Sequence, residues 1–177
     1  MGRPGTWTKR GRQAVLLAML VGAVYLALPG PARADFDYDS YAPDTIAGVL
    51  KRNTDVLKEA LADSRHLAID TALSKVRLLV EYNGKRRHIA ADAAALIDAV
   101  GRALPAIPDG YLALFRQEIA VQADGEPYWL PVQAQLVPYI DTELHRGDPV
   151  YLYAVFIGVN GQRPVFLVNE FDKARVD

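Results

Sequence analysis

VYLYAVFIGV, Val150–Val159, is the stretch whose reading sets the architecture. In an extended strand Val150, Leu152, Ala154 and Phe156 share one face, and Tyr151, Tyr153, Val155, Ile157 and Val159 share the other. Both faces are apolar, so both need cover, which is the mark of a central strand rather than one with a wet side. The helices of the first half are the expected cover for the second face, since large open apolar patches are uncommon on soluble monomers. A partner protein, or a shallow apolar pocket between the halves, is the alternative.

Working outward, Gly147-Asp148 turns the chain into this strand and Asn160–Pro164 turns it out again, so that Val165–Phe171 returns as a second strand. Upstream, Leu136–Leu144 has helical spacing, and before it lie two more strands, Phe115–Ala123 and Tyr128–Gln133, joined by Asp124-Gly125. Two strands, a short helix and two strands is the order of a small OB/SH3-like β-barrel, with one strand missing or borrowed from the first half. Pro131 places Tyr128–Gln133 near an edge, because proline cannot donate to a ladder. Along that strand Tyr128 and Trp129 point to opposite faces, so they cannot form one stacking platform; one of them is expected to fill the barrel wall, with a Trp129-centred contact surface as the alternative.

The first half reads differently. Ile46, Val49, Leu50, Leu57, Ala60 and Leu61 recur at helical steps after Pro43, with Asp44 and Thr45 suited to the helix start and a break expected near Asn53-Thr54. Arg65–Ser74 is ambiguous between a helix and a connection. Lys75–Tyr82, KVRLLVEY, alternates and runs into Asn83-Gly84, the strongest two-residue hairpin signal, so Lys85–Ala90 is expected as a return strand. Asp92–Leu104 has an apolar face and stops at Pro105. The expected class is therefore α+β: an N-terminal helix, an NG hairpin and a helix over residues 43–106, then the barrel over residues 107–177.

YWLPVQ, LHRGDPVYLYAVFIG and VFLVNEF together resemble the C-terminal part of a group of exported bacterial proteins of unassigned function. The resemblance covers the chain from Ile107 onward. It implies a small barrel module and no activity, substrate or catalytic residue.

Residues 1–34 read as an export signal. Lys9, Arg10 and Arg12 precede the apolar run Ala14–Leu28, and Ala32-Arg33-Ala34 supplies a small-x-small cleavage pattern, so the mature chain is expected to start at Asp35 in the periplasm or outside the cell, without a stable transmembrane anchor. Residues 35–42, DFDYDSYA, read as a flexible acidic arm. Its acids begin like a calcium loop, but Ser40 and Ile46 stand where that loop needs Gly and Glu. Cleavage would remove five of the 20 basic residues and none of the 21 acidic ones, leaving a net charge of about −6. That disfavours nucleic acid as a partner, because such binding rests on clustered cations. The chain contains no cysteine, which excludes disulfides and thiolate chemistry.

No residue set is read as catalytic, cofactor-binding or metal-ligating. His66, His88 and His145 are scattered; Asp63 and Asp70 lie at helical distances from His66, as surface ion pairs do. Nucleophile-elbow and phosphate-loop motifs are absent. Glu118, Glu126 and Glu143 leave open a carboxylate pair acting as a hydrolase on an envelope polymer. The favoured reading is a non-catalytic binding module for a protein or other envelope component, with Trp129, Tyr151, Tyr153, Ile157, Lys85, Arg86 and Arg87 as its candidate surface. The basic cluster Lys85–His88 could hold an anion, or could simply keep a strand edge charged.

Overall fold

The computed structural model describes residues 36–62, 67–108 and 110–175; the expected export signal, Asp35 and His66 lie outside them. In chain order the elements are β1 (Ala42–Asp44), α1 (Ile46–Arg52), α2 (Thr54–Ala62), β2 (Leu67–Ile69), β3 (Lys75–His88), α3 (Ala91–Ala103), β4 (Phe115–Ala123), β5 (Glu126–Gln133), α4 (Val137–Glu143), β6 (Pro149–Asn160) and β7 (Arg163–Lys173). Short 3-10 turns at Tyr38–Ser40, Leu112–Leu114 and Ala134–Leu136 complete the set.

The alternation in Lys75–Tyr82 is real: Val76, Leu78, Val80 and Tyr82 are buried while Leu79 and Glu81 are exposed. The hairpin is not. The chain runs straight through Asn83-Gly84 as one 14-residue strand, β3. Its first part pairs antiparallel with β6, from Lys75↔Val155 to Glu81↔Pro149, and its last part with β4, at Glu81↔Gln122 and Tyr82↔Val121 and again from Arg86↔Ile119 to His88↔Gln117. The register slips between Tyr82 and Arg86, and Gly84 takes φ +76° there. A strand that changes partners must bend, and a bulge with a left-handed glycine supplies the bend. Local turn preference loses because β6 offers Val76, Leu78 and Val80 an apolar strand to close the core with, whereas the return strand KRRH offers only charge.

β3 is thus the borrowed strand. The ring β3–β4–β5–β7–β6 closes back on β3 as a five-stranded barrel, sealed by one parallel contact between β5 and β7 at Val132↔Val168. The barrel therefore begins at Lys75, and a division at residue 106 would cut it; Asp37–Asp177 is one compact unit. The interior holds Val76, Leu78, Ile119, Leu130, Leu152, Phe156, Phe166 and Phe171 among others, with α1 and α4 adding Ile46, Val49 and Ile140. α1 starts where Thr45 Oγ1 accepts from the Gly48 amide at 2.9 Å, and the break expected near Asn53 separates it from α2.

β6 is central, as its sequence demands: it pairs with β3, β7 and, at its end, β2. Val150, Leu152, Ala154 and Phe156 face the interior. The expected alternation fails at one residue. A register shift at Gly158, φ +131°, turns Val159 into the core. α3 lies over the outer face of β6, and its own face, Ala93, Leu96, Ile97 and Val100, is buried there. Ile157 is 1% exposed.

The acidic arm also covers β6. Tyr38 and Tyr41 meet Tyr153 edge-on, with centroids 4.8 and 5.7 Å away, each such pair contributing about 0.5–1.5 kcal/mol beyond burial. β1 then adds in parallel to β3, Ala42↔Val76 through Asp44↔Leu78. Residues 37–42 are docked rather than loose, because the arm's aromatics carry apolar area that its aspartates concealed in the sequence. A buried polar cluster anchors it: Asn169 Nδ2 donates to Tyr41 Oη at 3.0 Å, while Asn169 Oδ1 accepts from Tyr111 Oη at 2.8 Å and Gln133 Nε2 at 2.9 Å. Burial pushes the Tyr111 phenol up to about 12, against the opposing effect of the Asn169 hydrogen bond.

Candidate functional site

Beside β5 lies a cleft of about 350 Å³, lined by Arg87, Asp92, Pro127, Tyr128, Trp129, Gln162, Arg163 and Pro164. Three connections meet over it: the end of β3, the first turn of α3, and the turn between β6 and β7.

Its foundation is a carboxylate that water does not reach. Glu118 on β4 has a side chain 0% exposed. Arg87, directly opposite it on β3, donates from Nε to Glu118 Oε2 at 2.7 Å. Arg163, at the start of β7, donates from Nη2 to Glu118 Oε1 and also to the Trp129 carbonyl at 3.2 Å, and from Nη1 to Asp92 Oδ1. Two cations and two carboxylates leave the cluster neutral, which is what makes burying Glu118 tolerable. Asp92 also accepts from the Ala93 amide at 2.8 Å, and Asn160 Nδ2 donates to its carbonyl at 2.8 Å. Burial raises the Asp92 carboxyl, but the Arg163 hydrogen bond and the first-turn amide of α3 outweigh it and hold the group below its ordinary value.

Trp129 stands in the wall with the Arg87 guanidinium carbon 4.1 Å from its ring centroid. Of the two aromatics Tyr128 packs against the core and Trp129 does not, although both line the cleft. Pro131 sits as expected on a strand paired along one side only until Val132.

Of the candidate surface residues, the structure brings together only Trp129 and Arg87. Arg86 points elsewhere, to Asp141 of α4 at 2.6 Å. Lys85 is exposed at the bulge. Tyr151 is half-buried, with the Arg77 guanidinium 5.5 Å over its ring. Tyr153 and Ile157 are buried and leave the surface altogether, covered by the arm's tyrosines and by neighbouring elements. Glu126 and Glu143 are exposed and do not join Glu118 at the cleft. His88 and His145 are exposed, and Asp70 accepts from Ser74 and the Ala72 amide in a turn. Among the described residues no group of three or more His, Asp or Glu could hold a metal ion, and no helix is long and apolar enough to cross a membrane.

Asp92, Gln162 and Arg163 were not singled out from the sequence. They lie in a helix start and a strand turn, and only the β3–β4 and β6–β7 registers bring them beside Trp129. No protein-family model matches the chain, and a search of curated proteins finds no match.

Proposed function

We propose that this chain is an exported envelope protein that works as a non-catalytic binding module, and that the cleft at Trp129 is its binding surface. The observation that carries this reading is the Glu118 cluster, a closed set of ion pairs that fixes an aromatic side chain and several polar groups around an open cleft. Such rigid support is what a binding site needs. We also read the barrel as OB-type, because β3 pairs with both β4 and β6, β5 meets β7 in parallel, and a helix joins β5 to β6. The cleft then occupies the face and loops that OB barrels use for ligands, an argument from fold alone.

The hydrolase reading is weaker. Asp92 and Glu118, the two carboxylates of the cluster, share Arg163, whereas a general acid needs a raised pKa and Asp92 has a lowered one. To test the binding reading, a photo-crosslinking side chain is placed at Gln162 and, as a control, at exposed Lys51 on α1, in protein exported by its native cell. Capture of an envelope component from Gln162 and not from Lys51 is expected; equal capture, or none at Gln162, rejects the cleft as the binding surface. Intact mass of the exported protein checks the leader: a chain beginning at Asp35 is expected, and retention of residues 1–34 means an anchor.

A further inference from the structure

We infer that the cleft takes a neutral, polyhydroxylated ligand, a saccharide unit, with Trp129 as its apolar wall; this rests on the binding reading above. The ion-pair cluster leaves several polar groups unused. Arg87 engages Glu118 through Nε alone, and its two Nη groups carry no hydrogen bond among the described residues. Both bonds that other residues give the Asp92 side chain fall on Oδ1, so Oδ2 has no donor from another described residue. The Gln162 amide, exposed at the rim, has no protein partner there either.

The rim is therefore mixed: donors on Arg87, an ionised acceptor on Asp92, and both on Gln162. A sulfate or a fully ionised phosphate ester only accepts at neutral pH, and inorganic phosphate, though it keeps a hydroxyl, is still an anion. The first two would leave Asp92 Oδ2 unpaired, and all three would be repelled by it and would find both arginines already neutralised by Glu118 and Asp92. A hydroxyl donates and accepts at once, and neighbouring hydroxyls on a sugar ring suit the paired edges of a carboxylate, an amide and a guanidinium. The C–H face of the same ring supplies the apolar surface that Trp129, Tyr128 and Pro164 require.

An extended peptide also donates and accepts, and β5 has an open edge up to Val132 where one could add as a strand. That edge is stoppered. The Trp129 carbonyl accepts from Arg163, so it points away from β4. Residues two positions away point the same way, and those are Pro127 and Pro131, which have no amide to give. One carbonyl is taken and two donors are missing, so a peptide cannot ladder there.

The test uses the full chain carrying Trp7→Phe, which leaves Trp129 as the only tryptophan and its emission as the readout. Cellobiose, maltose and N,N′-diacetylchitobiose are titrated, with inorganic phosphate and an extended unstructured peptide in parallel. At least one disaccharide is expected to give a saturable emission change, about tenfold weaker in Asp92→Asn through the lost charged acceptor. Gln162→Ala, which removes no side-chain hydrogen bond or ion pair among the described residues, is expected to weaken it too while leaving the melting temperature unchanged. Silence towards all three sugars by folded protein overturns the inference. A response to phosphate or to the peptide instead also overturns it, yet leaves the binding reading standing; failure of the Gln162 crosslink would remove that reading separately.

Discussion

Arg87 and Glu118 face one another across β3 and β4, the guanidinium Nε 2.7 Å from a carboxylate that solvent does not touch. The pair links the two halves of the sequence, because Arg87 belongs to the expected hairpin of residues 43–106 and Glu118 to the expected barrel of residues 107–177. Glu118→Gln keeps the shape but leaves Arg87 with no carboxylate and Arg163 with Asp92 alone. A stability loss of about 3 kcal/mol is expected, measured by denaturant unfolding; a loss below about 1 kcal/mol would mean that the arginines simply turn to solvent.

Two glycines test the bends in the barrel. At Gly158 a Cβ would lie 2.0 Å from the Ala68 carbonyl oxygen, with φ +131°, so Gly158→Ala cannot be accommodated without separating β2 from β6. At Gly84, φ +76°, the nearest neighbour is Arg146 Cβ at 3.0 Å, and Gly84→Val should cost more than about 1 kcal/mol through backbone strain. Thermal melts should rank Gly158→Ala as the more damaging of the two. The reverse order would contradict the β2–β6 approach.

Stability should fall off at both ends of the pH scale for identifiable reasons. Asp92 is more acidic folded than unfolded, so its contribution is complete above the unfolded value of about 4 and is lost as pH falls through the folded one. Tyr111 is the opposite case: its stabilisation is present below about 10, the unfolded value, and is lost as pH rises through about 12. Unfolding midpoints of Asp92→Asn and Tyr111→Phe should converge on wild type at acid and alkaline pH respectively. Differences that stay constant with pH would exclude these titrations as the cause.

A fragment of residues 108–177 should fail to close. It lacks β3, which pairs with both β4 and β6, and it lacks α3 and the arm that cover β6. Aggregation or strong binding of a hydrophobic dye is expected; a soluble, dye-negative monomer would show that four strands suffice.

Most of the strands were legible in the sequence because alternation is a local property: β4 and β6 sit where their patterns put them. The partner of β3 was not, since a turn signal at Asn83-Gly84 is local and the competing pairing with β6 spans some seventy residues of chain. The docked arm was hidden by its own composition, aspartates masking Tyr38 and Tyr41. Of the cleft, Trp129 and Arg87 stood out by type and Glu118 as one of three candidate acids, while Asp92 and Arg163 are ordinary charged residues until the registers bring them together.

The hydrogen bond from Asn169 to Tyr41 joins positions 128 residues apart, and this puts a clock on the making of the molecule. A chain built from its N-terminus at about 5–20 residues per second holds Tyr41 for roughly 6 to 25 seconds before its anchor exists. The arm's other partners come earlier, with β3 pairing β1 and Tyr153 meeting Tyr38 and Tyr41, but the Asn169 anchor comes only with β7. The first described segment to be made thus receives its last anchor only when β7 is complete.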